Sequence, residues 1–155
     1  MKLVNLTKWN KRYIKLAVDV SKWTTCLSRK VGCVITVHNR IVATGYNGAP
    51  SGVESCLDRG YCLREKCKSG EWLDRCMATH AEQNAITQAA RLGISIDGGD
   101  AYITTQPCTT CTKLLINSGI KRVFYIESYP DDLALQIAEE AGLELIQIDM
   151  SQLEN

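Results

Sequence analysis

The sequence predicts a single α/β domain in which helices flank a mixed β-sheet. Segments with a helical spacing of apolar residues alternate along the chain with short β-branched runs. Hydrophobic residues make up 45% of the 155 residues and charged residues 23%, a balance typical of a globular domain with an ordinary core. We therefore expect one domain that spans residues 1–155.

The first part of the pattern predicts one helix followed by a hairpin. Thr7 is the expected N-cap of a helix over residues 5–23, whose apolar side chains recur at helical spacing: Trp9, Tyr13, Leu16, Ala17 and Val20. Two β-branched runs cover residues 31–37 and 40–46. Only His38 and Asn39 separate them, which indicates an antiparallel hairpin.

The second part of the pattern predicts three helices that alternate with three strands. Each helix is followed by a glycine, and the expected ranges are 79–91, 107–118 and 131–141. The strands are expected over residues 100–105, 121–126 and 143–148. Strands that are joined through helices are usually parallel, so these three should be parallel and the whole sheet mixed.

Residues 47–76 show no sustained periodicity and are rich in cysteine. Four of the eight cysteines of the chain lie there, at positions 56, 62, 67 and 76. The segment is too long for a simple loop in a compact domain, so something must order it. We describe residues from about 51 to 78 as the cysteine-rich insert.

Composition also narrows the location and the class of ligand. No run approaches the roughly 18 apolar residues of a membrane span, and the N-terminus lacks the pattern of a secretory signal. We therefore expect a cytoplasmic protein, with no membrane partner and with reduced cysteines. The formal net charge of +1 does not favour a polymeric nucleic acid, so a small polar substrate is expected.

Two short motifs carry the chemistry: H-A-E at residues 80–82 and P-C-T-T-C at residues 107–111. Each has a structural interpretation alone, because Thr79 and Glu82 fit a capping box and a proline often opens a helix. Together they offer one imidazole and two thiolates, which is the three-ligand set of a catalytic zinc with an open position. Glu82 is then an uncommitted carboxylate beside that position.

These two motifs resemble the signature of zinc-dependent deaminases, H-x-E followed by P-C-x-x-C. With G-Y-N-G-A-P-S-G at residues 45–52 and S-G-I-K-R-V-F-Y-I-E-S-Y at residues 118–129, the chain is similar to deoxycytidylate (dCMP) deaminases of phage and bacterial type. The resemblance extends from about Tyr13 to Gln147. It implies a three-layer cytidine-deaminase-like fold with a five-stranded mixed sheet flanked by helices.

The resemblance implies an enzyme that hydrolyses dCMP to dUMP and ammonia and so supplies dUMP for thymidylate synthesis. His80, Cys108 and Cys111 would bind a catalytic Zn²⁺. Glu82 would be the catalytic acid–base group that moves protons to ring N3 and to the departing ammonia. Asn47 would contact the deoxyribose, and Tyr129 would lie near the phosphate.

Regulation and assembly are also implied by the resemblance. Members of this family are commonly homohexamers that are activated by dCTP, with Mg²⁺, and inhibited by dTTP. The residues of this chain that match the regulatory part of the motif are Tyr46, Asn47 and Gly48.

A second, structural zinc is implied in the same way. Cys26, Cys56, Cys62 and Cys76 match the family's cysteines, with Cys67 as the alternate ligand. A closed tetrahedral site would order the insert, which otherwise has little core to bury.

The sequence leaves two features of the expected nucleotide site open. The phosphate needs a cationic partner, and the candidate basic residues are Arg29, Lys30, Arg59 and Arg64. Gln106 stands before Pro107, where the resemblance leads us to expect serine, so no role in ring recognition is carried over to that side chain.

Two other functions are compatible with the sequence. A deaminase of another nucleotide or of tRNA adenosine would share the zinc motif, although the net charge and the mildly acidic C-terminus do not favour tRNA. A non-catalytic, zinc-stapled binding module could use the same fold, but it would have no need of Glu82.

Overall fold

The computed structural model describes residues 4–68 and 70–154. Its helices are α1 (Lys8–Ser21), α2 (Cys56–Arg59), α3 (Ala81–Leu92), α4 (Thr109–Asn117) and α5 (Asp132–Ala141). Its strands are β1 (Gly32–Val37), β2 (Arg40–Tyr46), β3 (Asp100–Thr105), β4 (Arg122–Glu127) and β5 (Glu144–Gln147). Short 3₁₀ turns cover Leu73–Arg75 and Met150–Leu153. Within the described ranges, no helix is both long and apolar enough to cross a bilayer.

The five strands form one mixed sheet in the order β2-β1-β3-β4-β5. β1 is antiparallel to both of its neighbours, β2 and β3. β3, β4 and β5 are parallel and are connected through α4 and α5. The predicted five-stranded mixed sheet is therefore confirmed.

The core lies in two layers because successive strand residues face opposite sides of the sheet. On one side Val34, Tyr102 and Phe124 pack with the buried face of α1. The Tyr102 and Phe124 rings stack there with their centroids 4.9 Å apart. On the other side, buried residues of the same strands, including Ile35 and Ile103, pack against α3, α4 and α5. The result is the expected three-layer arrangement of helix, sheet and helices.

α1 begins as its sequence predicts. The Thr7 side chain accepts a hydrogen bond from the Asn10 backbone N–H at 3.1 Å, and Asn10 Oδ1 accepts from the Thr7 N–H at 3.0 Å. Asn10 also donates through Nδ2 to the Tyr102 hydroxyl at 2.9 Å, which ties the helix to the sheet. Trp9, predicted to lie on the apolar face, is 38% exposed and instead stacks beside Tyr13 at the edge of the helix.

The hairpin between β1 and β2 turns through His38 and Asn39, as predicted. Both residues have positive φ, 49° and 55°, which is the backbone of a type I′ turn. The Tyr13 hydroxyl donates to the Asn39 carbonyl at 2.6 Å, so that α1 covers the turn.

Two predicted helix starts are wrong by two residues. Thr79 is extended and pairs with Gly48, since each backbone N–H donates to the other residue's carbonyl. α3 therefore begins two residues later, at Ala81, with His80 as N-cap and with Gln83 Oε1 accepting from the His80 N–H at 2.8 Å. The capping box of Thr79 and Glu82 does not form, which leaves the Glu82 side chain free of any capping role. α4 begins at Thr109, so Cys108 is its N-cap.

Candidate active site

Close packing of α3 on β2 positions the first part of the site. Gly45 lies so near this helix that an added Cβ would come within 2.2 Å of the Ala81 carbonyl oxygen and 2.6 Å of the Ala85 nitrogen. The helix meets the sheet with small buried residues, Ala81, Ala85 and Ala89. This contact fixes the first turn of α3, where His80 and Glu82 lie. Asn84 adds a hydrogen bond from Nδ2 to the Tyr46 carbonyl at 2.6 Å.

Three predicted metal ligands lie together at the starts of α3 and α4. His80 Nδ1 is 3.6 Å from Cys108 Sγ and 3.4 Å from Cys111 Sγ. Within residues 4–68 and 70–154, this is the one group of three or more His, Cys, Asp or Glu side chains whose donor atoms all lie within 4.8 Å of one another. Cys111 is fully buried, and the other two are partly buried.

The two thiols of this cluster differ in their acidity. Cys108 accepts hydrogen bonds from the Cys111 thiol and from His80, and they lower its pKa to about 4 against the opposing effect of burial. The pKa of Cys111 is raised, first because its thiol donates to Cys108 and then because it is buried. The pKa of His80 is raised by its hydrogen bond with Cys108.

Glu82 is a buried carboxyl group beside this cluster. It is 4% exposed, and burial raises its pKa to about 7, opposed by a backbone hydrogen bond and by the charge of His80. A carboxyl group with this pKa exchanges protons near neutral pH. The same side chain is not a member of the three-residue donor cluster.

Asp131 supports the start of α4 from a neighbouring loop. Its carboxylate accepts from the Thr109 backbone N–H at 2.7 Å and from the Thr109 hydroxyl at 2.6 Å. It also caps α5, by accepting from the Ala134 N–H at 3.1 Å. The first of these bonds, with Thr109, lowers the pKa of Asp131. The N-cap role at α5 is readable from the sequence, but the bond to Thr109, next to Cys108, is not.

The cluster opens into a cavity of about 620 Å³. Among the residues that line it are His80, Glu82 and Cys108, together with Asn47 and Tyr129. This size is within the range of small-molecule sites. Asn47 and Tyr129 are therefore brought to the metal-binding motif, whereas Tyr46 and Gly48 are not among the lining residues.

The cavity wall also carries positive charge. The Arg29 guanidinium carbon lies 5.0 Å from the centre of the Tyr129 ring, and both side chains line the cavity. Arg64 and Lys68 line it as well. Of the four basic residues that the sequence left open, Arg29 and Arg64 are thus in the wall, and Lys30 and Arg59 are not among the lining residues.

Asn47 uses its side chain to hold the wall together. Its Oδ1 accepts from the Val31 N–H at 2.9 Å, and its Nδ2 donates to the Arg29 carbonyl at 2.9 Å. The side chain is 7% exposed. Its amide retains one further hydrogen and one further lone pair for a ligand.

The cysteines assigned to a second metal approach one another less closely. Each of the eight cysteines is a free thiol. Burial raises the pKa of Cys56, and the nearby Cys62, Cys26 and Cys76 raise it further. Cys26, Cys62, Cys67 and Cys76 all line the cavity.

A family model confirms what the site geometry indicates. The model for the cytidine and deoxycytidylate deaminase zinc-binding region matches residues 7–127. The chain belongs to this family. The match includes His80, Glu82, Cys108 and Cys111, and the zinc-binding character of the deaminase family agrees with the donor cluster described above.

Individual deaminases are similar to the chain over most of its length. A deoxycytidylate deaminase of Enterobacteria phage T4 is 34% identical, with 90% of each chain covered. The deoxycytidylate deaminase of Schizosaccharomyces pombe is 37% identical over 90% of this chain, which spans only 44% of that relative's length. A structure of dCMP deaminase from cyanophage S-TIM5, in complex with dCMP and dUMP, matches with a TM-score of 0.75 and 29% identity, over 93% of this chain and 100% of that one.

Proposed function

We propose that the protein hydrolyses dCMP to dUMP and ammonia. The observation that carries this proposal is the cluster of His80, Cys108 and Cys111 beside the buried carboxyl group of Glu82, in the wall of a nucleotide-sized cavity. The phage T4 relative, a deoxycytidylate deaminase of which the chain covers 90%, favours dCMP as the substrate. The reaction breaks a C–N bond of a cyclic amidine, and its product dUMP would supply thymidylate synthesis.

His80, Cys108 and Cys111 would hold the catalytic Zn²⁺. One imidazole nitrogen and two sulfurs are preferred zinc ligands, and three protein ligands leave one coordination position open. Two adjacent thiolates repel each other, and a bound dication would remove that repulsion. When bound, zinc lowers the pKa of a coordinated water toward neutrality and so supplies a nucleophile.

Glu82 would carry the protons of the reaction. Its carboxyl group, with a pKa of about 7, accepts a proton from water and delivers it to ring N3 as C4 is attacked. It then helps protonate the departing ammonia. The side chain is buried in the cavity wall, so its carboxyl group would be shielded from bulk water while it carries the proton.

The far side of the cavity would hold the sugar and the phosphate. Arg29, held against the Tyr129 ring, would pair with the phosphate, and Tyr129 would lie beside it. Asn47 would use its remaining hydrogen or lone pair to contact the deoxyribose. The Asn47 bonds to Val31 and Arg29 support both roles, since they fix the segment that carries Arg29.

We also propose nucleotide regulation in a homohexamer, with dCTP and Mg²⁺ as activator and dTTP as inhibitor. Tyr46, Asn47 and Gly48 would take part at the regulatory site. Tyr46 is 38% exposed and contacts the exposed Trp23 ring edge-to-face, with centroids 6.3 Å apart. Two exposed aromatic rings in contact with each other are suited to a subunit contact or to a nucleotide.

A structural Zn²⁺ at Cys26, Cys56, Cys62 and Cys76 is proposed as well, with Cys67 as the alternate ligand. The mutual effect of these four thiols on the pKa of Cys56 supports the grouping. Their sulfurs would have to approach more closely than they do in the described part of the chain, where His80, Cys108 and Cys111 form the one tight donor group. Bound metal would then order the insert at about residues 51–78. We propose that the insert is part of a single domain over residues 1–155. The location proposed for the protein is the cytoplasm, where the cysteines stay reduced.

A substrate panel tests the proposed function. Zinc-loaded protein would be assayed by ultraviolet absorbance with dCMP, deoxycytidine and CMP, each with and without dCTP and Mg²⁺. We expect turnover of dCMP alone, raised by dCTP. Turnover without an effect of dCTP would remove the regulatory proposal, and no turnover of any of the three would contradict the proposed function.

A further inference from the structure

Gln106 is buried in the cavity wall with an amide nitrogen that has no partner. The residue is 6% exposed, and no hydrogen-bond acceptor for Nε2 lies within reach among the described residues. Gln106 lines the same cavity as His80, Glu82 and Cys108. A buried N–H without an acceptor is unfavourable and rare in native proteins. Nε2 itself is buried in this structure, so a ligand in the cavity would supply the missing acceptor once the side chain turns toward it.

Backbone contacts fix the position of Gln106 in the cavity wall. Gln106 directly follows β3, and its N–H donates to the carbonyl of Glu127, the last residue of β4, at 2.8 Å. On its other side come the buried Pro107 and Cys108, the N-cap of α4. Gln106 is therefore anchored at the carboxyl edge of the parallel strands, where ligands of α/β sheets bind.

The surroundings of Nε2 favour a neutral acceptor. The guanidinium of Arg29, which lines the same cavity, is available for a phosphate. A buried phosphate needs positive charge, which a carboxamide does not supply. A carbonyl oxygen of a neutral ring has no such requirement.

We propose that Gln106 is a specificity-determining residue whose Nε2–H donates to a carbonyl oxygen of the pyrimidine base. This inference rests on the proposed function, because it takes a pyrimidine nucleotide as the ligand of the cavity. The site would then recognise the base through Gln106, in addition to binding zinc at the metal cluster and the phosphate at Arg29. Adenine has no carbonyl group and could offer Nε2–H only a ring nitrogen as acceptor, so it would not form the proposed contact.

Variants of Gln106 test this inference, with Thr112 as the matched control. Gln106→Leu and Gln106→Met keep the volume of the side chain and remove the donor. Thr112 Oγ1 is also buried without a partner among the described residues, but Thr112 lies in α4 and is not among the lining residues of the cavity. Thr112→Val therefore removes an unpaired polar group that has no contact with the ligand.

Three readouts separate substrate recognition from a structural role. We expect Gln106→Leu and Gln106→Met to lower kcat/KM for dCMP and the affinity for dUMP by about 10-fold. The affinity for deoxyribose 5-phosphate, which lacks the base, should not change. The unfolding temperature should stay equal or rise, because the unpaired amide is gone. Thr112→Val should leave kcat/KM and dUMP affinity unchanged.

Each other outcome overturns the inference. Unchanged dUMP affinity in both variants would show that Nε2 does not meet the base, and an equal loss of deoxyribose 5-phosphate binding would place its acceptor on the sugar phosphate. Lower stability in both variants, with normal dUMP affinity in the folded fraction, would make Gln106 a structural residue. Turnover of dCMP by the wild type together with a negative result for Gln106 would reject this inference alone, whereas an inactive wild type would reject it with the proposed function.

Discussion

Glu82 owes its raised pKa chiefly to burial and not to a neighbouring negative charge. The start of α3 explains this, because Gln83 and not Glu82 makes the capping bond to the His80 backbone. Glu82 is thus free to face the cavity. The sequence predicts Glu82 beside the metal motif, and the structure places its buried carboxyl group in the same cavity wall as His80. The alternative interpretation, a capping box of Thr79 and Glu82, does not hold, because Thr79 pairs with Gly48 in a long-range contact that local pattern does not contain.

Asp131→Ala is expected to lower the stability of the protein by about 1–2 kcal/mol at neutral pH, because the carboxylate caps α5 and holds Thr109 at the start of α4. The bond from Thr109 lowers the pKa of Asp131 below its ordinary value of 3.8. This contribution is present above that pKa and is lost as the pH falls through the lower pKa of the folded protein, so the two proteins converge in stability in acid. Urea titrations at several pH values measure this.

Asp132→Ala is the control for that experiment, because Asp132 is the adjacent, exposed carboxylate in the first turn of α5. It should change stability by less than about 0.5 kcal/mol. An equal loss in the two variants would contradict the double role of Asp131.

Arg29→Ala is expected to raise KM for dCMP by about 10-fold or more, with a smaller change in kcat, because a charge-assisted bond to the phosphate is lost. Lys30→Ala is the control, since Lys30 is exposed and is not among the residues that line the cavity. Steady-state kinetics of both variants decide the point. Equal KM values for Arg29→Ala and the wild type would mean that another cation holds the phosphate.

At the scale of elements, glycines set how closely the helices approach the sheet. Gly45 lies against α3, and Gly32 lies against α1, where an added Cβ would be 2.1 Å from the Ala17 carbonyl oxygen. The periodicity of apolar residues and the turn residues, such as His38 and Asn39, were enough to predict which segments are helices and which are strands. These close approaches could not be predicted, because nothing in a local pattern says which helix crosses which strand.

Gly45→Ala and Gly32→Ala should both destabilise the protein, by about 1–3 kcal/mol or more, because backbone atoms would have to move apart. Only Gly45→Ala displaces the helix that carries His80 and Glu82. We therefore expect Gly45→Ala to weaken zinc binding and turnover in the folded protein, and Gly32→Ala to leave them near normal. Equal activity of the two folded variants would contradict the claim that close packing at Gly45 positions His80 and Glu82.

At the scale of the whole molecule, the cysteine-rich insert stands out because it has little regular secondary structure. The described residues of this insert, 51–68 and 70–78, contain only the short α2 and one 3₁₀ turn. The sequence predicted this lack of regular structure and the clustering of cysteines, but the choice among Cys26, Cys56, Cys62, Cys67 and Cys76 depends on side-chain geometry that spacing does not fix.

Zinc content tests the proposed structural site. We expect two zinc ions per chain in the wild type, one in Cys62→Ala and one in Cys108→Ala, as measured by metal analysis of dialysed protein. Limited proteolysis should cut the insert faster in Cys62→Ala than in Cys108→Ala, because metal orders that segment. A total of one zinc per wild-type chain would remove the second site.

The most direct test of the central claim is the turnover of dCMP by Glu82→Gln protein whose zinc content is measured in the same sample. Glutamine keeps the size of the side chain but cannot carry the proton. The account predicts a full complement of zinc and turnover lower by about 10²–10⁴-fold, the usual contribution of general acid–base catalysis. Cys108→Ala should lose both the catalytic zinc and the activity. Near-normal turnover by Glu82→Gln at full zinc content would contradict the account.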